Sequence, residues 1–199
     1  MIQRRQSNRI VQLKTNTGET VQTTEEIEEE LVGFFNNLLT EPVRDRSRAI
    51  CRITQNIPSM ISQDQNDSLM SPISLQEVEE AVKGMNSGTA PRTDGFTIDF
   101  FQSCWEIIKQ VVWRVVEHSR VASSILPALN ATFLTLIPKT DTTATPANYR
   151  PISLCNVIYK IISKVIANRL KPLMPSLISP EQSGFVEGRQ IMDGIITAH

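Results

Sequence analysis

The sequence predicts an α+β chain that is mostly α. Capped amphipathic segments, with apolar residues at helical spacing, dominate residues 23–129, and short β-branched runs bounded by turns flank them. The composition allows a packed core, since 40% of the 199 residues are hydrophobic and 21% are charged. A formal net charge of -1 sets the chain apart from a clearly basic stand-alone nucleic-acid binder.

Residues 9–22 alternate loosely around Asn16-Thr17-Gly18, which predicts a short hairpin with a glycine turn. Thr23 and Glu26 form a capping box, and Ile27, Leu31, Phe34, Phe35 and Leu38 follow on one helical face. The acidic run Glu25 to Glu30 suits the positive end of that helix and reads as a solvated start, not a metal site. Residues 40–73 read as an irregular linker with one short helix, given prolines at 42, 58 and 72 and weak periodicity. Ser74 and Glu77 make a second capping box, followed by Leu75, Val78, Val82 and Met85. Asn86 to Gly95 is a loop by composition, with Asp94-Gly95 as a turn. A longer helix is predicted over 97–118, with Ile98, Phe101, Trp105, Ile108, Val112 and Val115 inward.

The character changes near residue 131. ATFLTLIPK reads as a strand stopped by Pro138, and Tyr149 to Asn156 as a second extended piece. Val157 to Pro172 is predicted helical, with Ile158, Ile161, Ile162, Val165, Ile166 and Leu170 on one face. Ser179-Pro180-Glu181-Gln182 is a capping box with proline at the first helical position. A last helix begins at Ile191 and the sequence stops within its pattern. The expected organisation is a connector over 1–73, a helical region over 74–129 and a further α/β portion over 130–199.

Cys51, Cys104 and Cys155 are widely spaced and odd in number, so neither a disulfide framework nor a zinc site is expected, and a reducing compartment, nuclear or cytoplasmic, fits. No apolar run approaches the ~18 residues a membrane span needs, and no secretory signal is expected behind the basic N-terminus. Trp105, Trp113, Tyr149 and Tyr159 read as packing residues, and His118 lacks a metal-ligand partner.

Three motifs fall in order in the C-terminal third: LIPK (136–139), YRPISLCNVIYKIISKVIANRLKPLMP (149–175) and ISPEQSGFVEGRQIMDGI (178–195). Together they closely resemble the first blocks of plant LINE-type (non-LTR) retrotransposon reverse transcriptases. GFTIDFFQSCWEII (95–108) and LPALNATFLTLIPK (126–139) are similar to the same family, whereas residues up to about 70 resemble its connector only loosely. The resemblance implies a helical N-terminal extension followed by a partial fingers subdomain of short antiparallel strands and helices, with the palm missing. Two departures stand out: the KAPGPDG-like loop is TAPRTDG here (89–95), and Gly194 replaces the usual Asn. The catalytic aspartate motifs, including the YADD-like hairpin, would follow His199.

The parent activity implied is RNA-directed DNA synthesis on an RNA template from a DNA primer, with deoxynucleoside triphosphates and Mg2+. Two-metal nucleotidyl transfer needs clustered carboxylates. Asp141, Glu181, Glu187 and Asp193 near the motifs form no such pair, so no catalytic residue and no cofactor is expected in this chain. Arginine and lysine suit triphosphates, and the resemblance places Lys139 and Arg150 on the incoming nucleotide; two solvated cations flanking a turn is the plainer alternative. Residues 150–171 hold Arg150, Lys160, Lys164, Arg169 and Lys171 and no acid. Lys160, Lys164 and Lys171 form a basic face, read as opposite the isoleucines, that would attract a nucleic-acid backbone or serve as an ordinary solvated face. By resemblance, the loop with Gln182, Gly184, Phe185, Gly188 and Arg189 touches template; alternatively it is a turn with Phe185 in the core. Three readings stay open: a reverse-transcriptase fragment inactive by itself, a non-catalytic nucleic-acid-binding module, and a functionless remnant.

Overall fold

The computed structural model describes residues 10–15, 17–42, 45–88, 94–140, 144–179, and 182, 184, 186, 188 and 189. These residues fall into two compact units, Met1–Cys51 with Phe133–Leu154, and Arg52–Thr132 with Cys155–His199. Helix predominates, with two short two-stranded antiparallel sheets. Three expectations lie wholly or partly outside the described residues: the loop at 89–93, the capping box at Pro180 and Glu181, and the helix from Ile191.

In the first unit, β1 (Leu13–Lys14) and β2 (Thr20–Val21) pair antiparallel, Leu13 opposite Val21 and Lys14 opposite Thr20. The Gly18 N–H donates to the Thr15 carbonyl at 3.0 Å, and Gly18 takes φ +89°, a conformation that disfavours any side chain. The predicted hairpin therefore forms. α1 (Thr24–Leu39) starts at the expected Thr23–Glu26 capping box. Its inner face is narrower than the pattern indicated. Ile27 and Phe35 are buried, but Leu38 is 61% exposed. Leu13, Ile27 and Tyr149 form the small core, with Ile10, Val21, Leu31 and Leu136 against it. β3 (Thr132–Pro138) and β4 (Tyr149–Cys155) make the second sheet where the two extended runs were expected.

The second unit is helical. α4 (Leu75–Lys83), α5 (Ile98–Ser103), α6 (Trp105–Val121) and α8 (Val157–Leu170) bury Val78, Val82, Phe101, Trp105, Val112, Val116, Ile161 and Val165 in one core. The helix expected over 97–118 is two helices. Cys104 at φ -97°, ψ 11° interrupts it, and Val116 rather than Val115 is buried. α7 (Pro127–Asn130) is a single turn before β3.

The segment 40–73 is more ordered than its composition indicated. It holds two helices, α2 (Ser47–Thr54) and α3 (Gln63–Met70), the latter opened by a Ser62–Gln65 capping box. The strap after α3 is held by side chains at every residue. Arg169 donates to the carbonyls of Leu69, Ser71 and Pro72 at 2.9, 2.7 and 3.0 Å. Arg120 donates to Met70 O at 3.0 Å, the Trp113 indole to Ile73 O at 2.7 Å, and the Ile73 N–H to Glu117 at 2.9 Å. α8 ends at Leu170, a 3-10 turn follows over Lys171–Leu173, and α9 spans Met174–Leu177.

The three cysteines form no disulfide. Among the described residues no helix is long and apolar enough to cross a membrane, and no three of His, Cys, Asp and Glu gather as a metal site.

Candidate nucleic-acid interface

The hairpin of β3 and β4 carries the two cations assigned to the nucleotide. The Lys139 N–H donates to Asn148 O at 2.9 Å, which sets these residues opposite each other. Two residues on, Arg150 then faces Ile137 and is diagonal to Lys139, at about 7–8 Å. Burial follows this register. Leu136, Pro138 and Tyr149 lie on the inner face, while Ile137, Lys139 and Arg150 are exposed on the outer one. The hairpin therefore puts Lys139 and Arg150 on one face. The Lys139 ammonium rests on the Ala147 carbonyl at 2.6 Å, which holds it at the tip of the hairpin.

The basic stripe of α8 differs from the expected one. Lys160 and Lys164 are each one residue before a buried aliphatic, Ile161 and Val165, so successive positions 100° apart set the lysines beside the buried stripe, not opposite it. Both are accordingly half-buried, while Lys171 is exposed. The Lys164 stem runs past Gly84, its Cε 3.9 Å from where a Cβ on that glycine would lie. Such side chains cover apolar surface with their methylenes and keep the ammonium in water.

Arg169 leaves the basic face. Its Nε donates to Glu77 at 2.6 Å and its Nη2 to the other carboxylate oxygen at 3.1 Å. With the three strap carbonyls, every donor of the guanidinium is engaged. The Arg169 fork holds the Glu77 carboxyl at about 2, against an ordinary 4.5, and the Ser74 cap bonds favour the same ionised form. Arg120, with help from the Ile73 N–H, lowers Glu117 likewise. Glu77 was legible as a helix cap. Its second partner was not, because Arg169 lies 92 residues further along the chain.

In the last loop, Gly188 sits at φ +78° and the Arg189 N–H donates to Val186 O at 3.2 Å. That is the pattern of a turn with glycine third, where the positive φ excludes a β-carbon at little cost only for glycine. Arg189 is turned inward. Its guanidinium donates to the carbonyls of Pro175, Ile178, Ser179 and Gln182, closing α9 and the loop into one frame. Gln182 is exposed, with a long 3.4 Å bond to Gly184 O, and Gly184 is half-buried. Phe185 lies outside the described residues. One polar residue had no assigned role in the sequence: Asn156, buried at 3% exposure, donates its side-chain amide to Ala128 O at 3.1 Å and Leu129 O at 3.4 Å. It stands at the N-cap position of α8 without a side-chain cap bond, and its tie to α7 spans 27 and 28 residues of sequence, beyond the reach of a local pattern.

Residues 137–199 match the family model described as reverse transcriptase (RNA-dependent DNA polymerase). The C-terminal third is thus similar to part of a reverse transcriptase domain. The matched stretch takes in the tip of β3, all of β4, α8 and the loop. A Xenopus laevis protein described as the transposon TX1 uncharacterized 149 kDa protein is 29% identical over 98% of this chain. Retrovirus-related Pol polyproteins from type-1 retrotransposable element R2 are similar as well, at 28% over 74% of the chain in Nasonia vitripennis and 25% over 57% in Popillia japonica. These relatives support a reverse transcriptase of the LINE type. The chain spans 15%, 13% and 15% of their respective lengths.

Proposed function

We propose that this chain is the substrate-holding part of a LINE-type RNA-directed DNA polymerase, of the plant kind that its motif wording resembles. The match of 137–199 to the reverse transcriptase family carries this reading. In it, Lys139 and Arg150 hold the triphosphate of an incoming deoxynucleotide, and their shared hairpin face supports that role. Lys160, Lys164 and Lys171 attract the nucleic-acid backbone. Gln182, Gly184, Phe185 and Gly188 approach the RNA template, while Arg189 shapes the loop from within. RNA template, DNA primer and nucleotides are the partners of the complete polypeptide.

Mg2+ serves this chemistry in the complete enzyme, by stabilising the attacking and leaving oxygens. The described residues gather no acidic cluster that fits it. Purified chain, tested for primer extension on an RNA template with Mg2+ and all four nucleotides, should make no DNA. Clear synthesis overturns the reading. A second reading, a binding module that acts without catalysis, is supported by Lys160 and Lys164 on α8 and Lys171 just after it. That reading predicts nucleic-acid affinity in the isolated chain at low salt.

A further inference from the structure

α6 has two apolar sides, and the fold uses one of them. Trp105, Val112, Val116 and Ser119 are buried in the helical unit. Ile107, Val111, Arg114, His118 and Val121 lie on the other side, and all five are exposed. Ile107 is 82% exposed, Val111 62% and Val121 69%. At 100° per residue the five fall within an arc of about 80°, roughly opposite the buried set. They follow one another at intervals of four, three, four and three residues. That is the spacing of a coiled-coil seam, in which every position meets a facing helix. The seam runs about 21 Å along the axis. Single exposed aliphatics are ordinary on a protein surface, but a row of them at this spacing on one helix is an unfilled packing face.

The charges on α6 indicate what fills it. Glu106 pairs with Lys109, and Glu117 with Arg120. Arg114 stands at the middle of the seam and has no ion-pair partner among the described residues. A guanidinium enclosed between aliphatic neighbours needs a carboxylate opposite it, because an unpaired buried charge is costly. A second copy of α6 does not supply one. Arg114 is midway between Ile107 and Val121, so it meets its own copy in an antiparallel pair centred on the seam, and equally in a parallel pair in register. A nucleic-acid backbone would satisfy Arg114 but set Ile107, Val111 and Val121 against phosphates. We propose that the outer face of α6 docks an amphipathic helix of another protein, with aliphatic residues opposite Ile107, Val111 and Val121 and an acidic residue opposite Arg114. Arg114 then fixes the register, as one polar position does in a coiled-coil seam, and its donor fork takes the carboxylate. This docking goes beyond the polymerase reading and does not rest on it.

The probe is a labelled helical peptide of about 21 residues, with leucine at its seam positions, glutamate at the central one, and alanine and glutamine elsewhere. Its twin carries lysine at the centre. Fluorescence anisotropy with the full chain should show the glutamate peptide bound about tenfold tighter or more than the lysine peptide. Arg114→Glu should reverse this preference, and Val111→Asp should weaken both peptides about tenfold or more. Both positions are exposed, so the urea midpoints of the two variants should stay within about 0.3 M of the parent. Binding of neither peptide at up to about 100 μM overturns the proposal. So does a preference that Arg114→Glu leaves unchanged. A self-association of the full chain that Val111→Asp abolishes overturns it as well, because the occupant is then a second copy. An RNA affinity that Val111→Asp lowers as far as the peptide affinity does the same, since the face then belongs to nucleic acid. Primer extension is not read in this experiment, so its failure leaves the polymerase reading standing.

Discussion

Replacing Arg169 with alanine tests the strap most sharply. The substitution removes both bonds to Glu77 and the donors to Leu69, Ser71 and Pro72. Glu77 is held at about 2 against 4.5, chiefly by Arg169. At about 1.4 kcal/mol per unit the full shift is worth about 3 kcal/mol. The Glu77 side chain is 32% exposed and keeps its Ser74 cap, so solvent and the cap reduce the share lost with Arg169 to about 2 kcal/mol. The freed carbonyls are near the surface, where water replaces the donors at a cost of about 0.5–1.5 kcal/mol in all. The sum is a loss of about 2–4 kcal/mol. With a urea dependence of about 2 kcal/mol per molar, the unfolding midpoint should fall by about 1–2 M. Arg169→Lys should recover less than half, because an ammonium cannot reproduce the planar fork. Arg150→Ala, at an exposed strand position, is the control and should leave the midpoint in place. An Arg169→Ala midpoint within about 0.3 M of the parent would refute the clamp.

Other outcomes follow from the same geometry. Because Glu77 is lowered on folding, its contribution is fully present above its ordinary value of 4.5 and disappears as pH falls towards about 2. The parent chain should therefore lose stability across that window, and Arg169→Ala, measured by urea titration at several pH values, should show a flatter profile. Lys160→Gln with Lys164→Gln should weaken single-stranded RNA binding and lower its salt slope by about 1–2, read by fluorescence anisotropy. Gly188→Ala forces a β-carbon to positive φ and costs about 1–2 kcal/mol locally. RNA affinity should drop while the unfolding midpoint of the helical core stays put.

Local chemistry made much of the fold legible. The Thr23 and Ser74 capping boxes, the Gly18 turn and the proline-stopped strand at Pro138 each act within a few residues, and each stands where expected. What was missed depends on distant partners. The strap at 69–73 has no periodicity of its own, and its order comes from Arg120, Arg169, Glu117 and Trp113, up to 100 residues further along the chain. The basic stretch illustrates the limit for the site. Counting charges over 150–171 does not separate Arg150 on a strand surface from Arg169 saturated by a carboxylate and three carbonyls. Arg189 has the same character, an arginine in a family motif whose guanidinium serves its own loop. Lys139 and Arg150 became neighbours only through strand register, which alternation in the sequence hinted at without fixing.

In the function proposed above, the chain holds nucleic acid through Lys160 and Lys164 of α8. The most direct measurement is the affinity of the purified chain for a labelled single-stranded RNA from about 50 to 200 mM salt, beside the Lys160→Gln/Lys164→Gln variant. Measurable binding at low salt is expected, falling steeply and log-linearly as salt rises, with a shallower slope in the variant. No binding at low salt, or a slope the variant leaves unchanged, would contradict it.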